Sequence, residues 1–431
     1  MTGRVAGLLR HVPLVGRRFR DAGEPGQAMP PEAILLAVAL FFAVAPTNIL
    51  TPLLPNVRDD FGISIATTGL VVSTYGMARL LTDLPSGLIL DWIGERRLAV
   101  AGSALLTGGS IVGAISPTVG WLIVARVAAG LGSGLITTVA LTGLSWTAGR
   151  SNRGAVMSLF QVANNSGIAF YPLAGGLLGA FFSWRVTFVL AAVAGVAAAA
   201  ILLPLLGRIE TGQKRAATSG PGRHFQFRLS RPRLVGALGA TYAGVFANMT
   251  HRHGFRNTVL PLFAAAALGL GSFQIATGIA LMSIVGIIVV TPGSRLGDRI
   301  GRRRIIVAGL LVLAAGDLTF LGANGYLTFL LAAGLVGLGD FFSSTQTALL
   351  SELVSPASRA RVLAGYRFFV DIGALLGPLV LSALLGAFSP AVAIVGASAI
   401  LASGALISRL GIPPQPASED EAASLDTRYG A

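Results

Sequence analysis

The chain has 431 residues, 53% of them hydrophobic and only 12% charged, with a mean hydropathy of +0.75. Ordinary soluble domains carry about 25% charged residues, so the composition excludes a water-soluble fold of this size, and the absence of cysteine excludes disulfides, thiol catalysis and Cys-ligated metal centres. The formal charge of +14 fits a nucleic-acid binder only if the basic residues form one exposed patch, and their distribution along the chain decides against that.

Residues 1–31 carry Arg4, Arg10, Arg17, Arg18 and Arg20 without the apolar core and small-residue cleavage site of a signal peptide. They read as a cytoplasmic tail, either flexible or, through the interleaved Val5, Leu8, Leu9, Val12, Leu14, Val15 and Phe19, lying on anionic lipid. A membrane span needs about 20 mostly apolar residues. Such segments follow at 33–56, 66–90, 98–115, 120–145, 156–181 and 185–206, and again at 234–262, 272–293, 305–322, 326–350, 361–386 and 390–409. The seventh is interrupted by His251-Arg252-His253-Gly254-Phe255-Arg256-Asn257, and it is expected to be one helix with a polar outer section.

Under the positive-inside rule, 25 of the 32 basic residues fall in the tails and alternate loops of one side. Arg58 and Arg185 remain for the opposite side, and Arg79, Arg126, Arg252, Arg256 and Arg367 lie inside spans. The basic charge is therefore a topology signal that places both termini and the central loop in the cytoplasm. The basic, Gly/Pro/Ser-containing stretch from Arg208 to Arg233 reads as a tether between two bundles.

The halves repeat. An offset of 207 carries Pro85 onto Pro292, Asp91 onto Asp298, Gly94 onto Gly301, Arg96 onto Arg303, Gly130 onto Gly337 and Gly132 onto Gly339, and an offset of 206 carries Arg153 onto Arg359, Gly167 onto Gly373 and Pro172 onto Pro378. The expected fold is an all-α polytopic membrane protein of twelve transmembrane helices in two six-helix repeats. Its expected parts are a tail (1–31), an N-terminal bundle (32–207), a central loop (208–233), a C-terminal bundle (234–410) and a second tail (411–431). Parallel repeats of this kind place a substrate site near the midplane between them.

The loop after span two, Gly87-Leu88-Ile89-Leu90-Asp91-Trp92-Ile93-Gly94-Glu95-Arg96-Arg97, resembles the loop signature of the major facilitator superfamily, and Asp298-Arg299-Ile300-Gly301-Arg302-Arg303-Arg304 repeats it. The resemblance implies that Gly87, Asp91, Gly94, Arg96, Asp298, Arg299, Gly301 and Arg302 form a cytoplasmic gate. Trp92 and Glu95 replace basic residues of the pattern and Ser294 replaces a glycine, which puts the first latch in doubt. Span four carries Arg126-x-x-x-Gly130-x-Gly132-x-Gly134, resembling the family's intramembrane arginine motif, linked to proton coupling in proton-driven members. An arginine at the bilayer centre costs about 2.5 to 3.5 kcal/mol on insertion scales, so Arg126 is expected to face the interior. Span five, with Gly167, Pro172, Gly175 and Gly176, resembles the pattern of exporters that exchange solute for protons, with Tyr171 where that pattern has glycine; Gly377-Pro378 echoes it in span eleven. These residues are expected at helix kinks. Trp184-Arg185 and Thr51-Pro52-Leu53-Leu54-Pro55 also resemble family segments.

Intramembrane charges are functional candidates. Asp340 has no opposite charge on its own helix, which favours it as a proton carrier. Asp371, four residues after Arg367, is expected to pair with that arginine, and Arg79 with Asp83. Asp340 and Asp371 serve proton coupling with Arg126 on this reading; the alternative is that both are structural pairs. Asp317 is expected to face water at the outer end of span nine. Arg252, Arg256 and Arg367, with Asn48, Asn164 and Asn165, are candidate cavity residues, and the arginines imply either an anionic or amphiphilic substrate or an outer gate.

The expectation is a proton-coupled exporter of small amphiphilic compounds, working as a monomer in the cell membrane by alternating access. The alternative is an uptake symporter for a small anionic or polar metabolite. Four histidines, no Gly-x-Ser-x-Gly and no Gly-x-x-x-x-Gly-Lys-Ser/Thr loop leave an enzyme or ATP-driven pump unsupported. No metal or cofactor is expected, and no nucleic acid; the partners are substrate, protons and lipid.

Overall fold

The computed structural model describes residues 30–83, 85–147, 153–213, 232–342, 345–354 and 358–414. Both tails and most of the central loop therefore lie outside the described residues. Helices dominate, and no strand occurs among the described residues. In chain order the rods are α1 (Pro31–Phe61), α2 (Ile65–Asp83, continued by Ser86–Ile93), α3 (Glu95–Ala114), α4 (Val119–Thr147), α5 (Arg153–Phe181), α6 (Arg185–Gln213), α7 (232–268), α8 (Ser272–Ile300), α9 (Arg302–Gly322), α10 (Tyr326–Glu352), α11 (Arg359–Ala387) and α12 (Pro390–Gly411). Helix α6 runs to Gln213, so the start of the expected central loop is helical. Among the described residues, nine helices are long and apolar enough to cross a membrane by length and composition. The helices outside that set are α2, α5 and α7, and each carries polar or charged side chains at mid-length.

The repeat is visible in the backbone. Positive φ angles among the described residues occur only at Gly62, Gly94, Gly269 and Gly301, which form two pairs 207 positions apart. Gly62 and Gly269 are left-handed C-caps of α1 and α7, and Gly94 and Gly301 turn the chain into α3 and α9. No residue with a Cβ enters this conformation cheaply.

Helices α1 and α7 are both irregular at mid-length. Pro46, Pro52 and Pro55 remove backbone donors, and α1 passes through a short helix (Ala45–Asn48) and a 3-10 turn (Thr51–Leu53) before Leu54–Phe61. At the matching place α7 widens into a π-helix, His251–Val259. It then continues as Leu260–Leu268. The polar section of span seven therefore sits in the middle of a continuous rod and not at its outer end. A hydrophobic continuation, Leu260–Leu268, follows it.

The two halves meet tightly at the end that carries Arg58 and Arg185. Leu53, Leu54 and Val57 of α1 join Leu260 and Phe263 of α7 in one apolar cluster, and Ser272 donates to Asn56 Oδ1 at 2.9 Å. Deeper, Asn257 Nδ2 donates to Asn48 Oδ1 at 3.2 Å. Among the described residues no hydrogen bond or ion pair joins the halves between this level and the end that carries the arginine-rich loops. The polar bonds between the halves thus lie toward the Arg185 end, while α2 and α11 pack against each other at Gly69 and Gly76.

Candidate functional site

The space between the halves contains a cleft lined by Asn165 and Ile168 of α5, Arg252 of α7, Ser283, Gly286, Ile287 and Val290 of α8, and Asp340 of α10. Gly286 makes room for the carboxylate: a Cβ there would stand 3.0 Å from Asp340 Oδ2. Arg256 lies buried behind the wall. It places Nη1 3.5 Å from Asp340 Oδ2 and donates through Nη2 to Ser283 Oγ, and that hydroxyl in turn donates to the Ile279 carbonyl at 3.0 Å. Asp340 therefore has an opposite-charge partner, supplied by another helix that sequence spacing could not identify. Arg252 forms no hydrogen bond or ion pair with any described residue and is half-buried on the cleft wall.

Arg126 faces inward, 2% exposed. No carboxylate partners it. Nη1 donates to the Pro46 carbonyl at the break in α1, Nε donates to Val71 O at 3.4 Å, and the guanidinium lies 4.6 Å from the centre of the Tyr75 ring. Thr47 donates to the Tyr75 hydroxyl at 2.7 Å, closing the cluster. The irregular backbone of α1 supplies the carbonyl that an ordinary helix would keep for itself. Arg126 thus fastens α4 to α1 and α2 and does not line the cleft.

Two further expectations fail. Asp317 does not face water: it is fully buried, and its Oδ2 lies 2.9 Å from His251 Nδ1. The mid-rod position of the π-helix brings the histidine to α9. Arg367 and Asp371, although four residues apart, make no ion pair with each other. Asp371 is buried and sits in the electrostatic reach of Asp83, Arg79 and Arg367 at the α2–α11 seam. Arg79 and Asp83 do pair, at 3.3 Å. Of the asparagines, Asn165 lines the cleft, Asn48 holds the cross-half bond, and Asn164 is half-buried without lining the cleft.

The glycines of α5 are points of close approach in a helix that continues through Pro172. A Cβ on Gly175 would stand 2.0 Å from the Ile49 carbonyl of α1, and one on Gly176 would stand 2.2 Å from Ala276 Cβ of α8. One glycine therefore serves the N-terminal half and its neighbour serves the contact between halves. Gly167 approaches Val44, and Gly377, before Pro378, crosses Gly254 in the π-helix backbone to backbone. Tyr171, in the place of a pattern glycine, is buried against Phe41, with ring centres 5.1 Å apart.

At the basic end, Arg302 lies 2.6 Å from Asp298 and 2.9 Å from Glu352. Glu352 went unnoticed in the sequence because it belongs to no motif. Arg96 and Arg299 are exposed. The surroundings of Gly87 and the side chain of Asp91, both expected at the gate, lie outside what the structure describes. At the opposite end Asp60 accepts from Arg185 Nη1 at 2.6 Å and from Trp184 Nε1 at 3.1 Å, which explains the Trp-Arg pair.

The model of the family described as "Major Facilitator Superfamily" matches residues 36–255 and 241–427. The chain belongs to this superfamily. It is 28% identical over 388 residues, 88% of this chain and 95% of the relative, to the chloramphenicol resistance protein of Streptomyces lividans. It is 28% identical over 237 residues, 54% of this chain and 47% of the relative, to the cephamycin export protein CmcT of Amycolatopsis lactamdurans. In fold it is similar to the crystal structure of a bacterial homolog of the human lysosomal transporter Spinster, in an inward-facing and unoccupied conformation, with a TM-score of 0.70 at 14% identity over 89% of this chain and 98% of that one. A superfamily transporter of this architecture is a multi-pass membrane protein that moves a small molecule and is not an enzyme.

Proposed function

We propose that the chain exports small amphiphilic compounds across the cell membrane in exchange for protons, by rocking its two halves about the cleft. The observation that carries this reading is the α5 crossing: in the Pro172-x-x-Gly175-Gly176 segment, which resembles the exporter pattern, Gly176 lets α5 approach α8. The names of the relatives, a chloramphenicol resistance protein and a cephamycin export protein, favour the same direction. Both termini and the loop 208–233 are cytoplasmic on this reading, so the closed Arg185 end faces outward and the cleft opens inward. Residues 32–207 and 234–410 are the moving bodies, flanked by tails 1–31 and 411–431, and one copy suffices. Asp371 or Asp340 carries the proton, Arg126 adjusts that cycle, and the loops at Asp91 and Asp298 control the inner gate.

Chloramphenicol in membrane vesicles tests the direction. Inside-out vesicles with an acidic lumen are expected to accumulate the compound and to lose it when a proton ionophore collapses the gradient. Accumulation confined to right-side-out vesicles with an inward proton gradient would replace export with uptake.

A further inference from the structure

We infer that the cleft selects amphiphiles bearing one carboxylate, held between the Arg252 guanidinium and the Asn165 amide. The inference rests on the transport reading above and adds the class of substrate.

A census of the charges between the halves supports this. Arg79 is paired with Asp83 and Arg256 with Asp340, and Arg126 spends its donors on backbone carbonyls and an aromatic face. Arg367 does not line the cleft, whereas Arg252 does, and Arg252 forms no bond with a described residue. The wall it shares also carries Ile168, Ile287 and Val290, and the one carboxylate on that wall, Asp340, is held by Arg256. A cation set against apolar side chains without a counter-charge is costly, and a guanidinium presents a planar fork that fits a carboxylate with two parallel hydrogen bonds.

The remaining wall groups narrow the class. The Asp340 carboxylate is engaged by Arg256 and adds no net charge to the pair, so the cleft keeps one positive charge. Ser283 already accepts from Arg256 and donates to Ile279, which leaves it no proton for a ligand. Asn165 makes no hydrogen bond with a described residue and can donate to the carboxylate. Arg252 belongs to the C-terminal half and Asn165 to the N-terminal half, so an acid bound by both ties the halves together at the cleft.

The test uses the full chain in lipid nanodiscs at neutral pH with three matched probes: 2-naphthoate, 2-naphthamide and 2-naphthylmethylammonium, measured by calorimetry. Binding of 2-naphthoate is expected to be roughly tenfold or more tighter than that of the other two, the scale of one hydrogen bond to a charged group. Arg252→Gln brings the three within about twofold of each other, and Arg252→Lys, which keeps the charge but loses the two-point fork, retains only part of the preference. Because Arg252 bonds to no described residue, both variants are expected to unfold at the wild-type temperature, so lost binding is not lost folding. Equal or tighter binding of the amide or the ammonium, failure of 2-naphthoate to bind at millimolar concentration, or a preference that survives Arg252→Gln overturns the assignment. Failure of the export reading looks different: naphthoate preference persists in the nanodisc while no probe accumulates in inside-out vesicles under an acidic lumen.

Discussion

Gly176→Ala probes how the two halves close. The added methyl would stand 2.2 Å from Ala276 Cβ and 2.7 Å from the Ser272 carbonyl, whereas ordinary contact is 3.4–4 Å. Both partners belong to helix α8, one of them as backbone, so α5 and α8 must separate by roughly 1 to 2 Å where interiors are close-packed. Overpacking of this kind costs about 1 to 3 kcal/mol. The cost falls on the state in which the Arg185 end is closed and vanishes where the halves part there. At about 1.4 kcal/mol per factor of ten, the closed population drops by roughly one order of magnitude relative to the open one. The chain has no native cysteine, so spin labels on Asp59→Cys and Ala267→Cys, exposed positions on α1 and α7, report the distance across this end by pulsed electron resonance. The label distance is expected to shift to longer values in Gly176→Ala. Gly175→Ala is the contrast: its methyl meets the Ile49 carbonyl at 2.0 Å within one half, so it lowers thermal stability without moving the distance. An unchanged distribution in Gly176→Ala, or an equal shift in both variants, refutes this reasoning.

Asp317→Ala strips the partner from buried His251, and the loss is expected to be on the order of 3 kcal/mol, read as a lower unfolding temperature; Asp317→Asn, which keeps a hydrogen-bonding oxygen, loses less. Arg126→Lys replaces three directed contacts by one point charge and is expected to lower the unfolding temperature more than Arg252→Gln does, measured by the same scan. If Asp371 carries the coupled proton, Asp371→Asn abolishes accumulation driven by a pH gradient while leaving substrate counterflow at equal pH intact, as followed in vesicles; full pH-driven accumulation in that variant removes Asp371 from the coupling role.

The fold was legible because bilayer physics acts on composition. Twelve apolar runs, the glycine turns at Gly94 and Gly301 and the offset between halves all follow from local sequence. The site was legible only in its ingredients. Arg126 was placed correctly in the interior, since lipid exposure is too costly, yet its partners are the Pro46 carbonyl at the break in α1 and the Val71 carbonyl of α2. Asp340 looked unpaired because the search for a partner ran along one helix, while Arg256 arrives from α7. Arg367 and Asp371 have the spacing of a pair, but spacing on a helix permits contact and does not compel it when Arg79 and Asp83 lie across the seam. Asp317 was misplaced because hydropathy locates a span without saying which of its faces packs against a neighbour.

The π-helix of α7 explains why these errors cluster. Within His251–Val259, His251 reaches Asp317 of α9, Arg252 lines the cleft, Arg256 reaches Ser283 and Asp340 of α8 and α10, and Asn257 crosses to Asn48 of α1. A stretch this polar reads as a loop or a helix end when judged by hydropathy, and becomes affordable in mid-membrane only because separate helices satisfy its side chains. The same arrangement sets the mechanics. The cleft arginine and the cross-half amide bond belong to one short backbone segment that is anchored to α9 behind it. A ligand that draws Arg252 toward α5 therefore pulls on the segment that also carries the bond to α1. If an acid binds at Arg252 as proposed, binding and closure are tied through these nine residues of backbone, and a transporter needs such a tie for substrate to favour the movement of the halves.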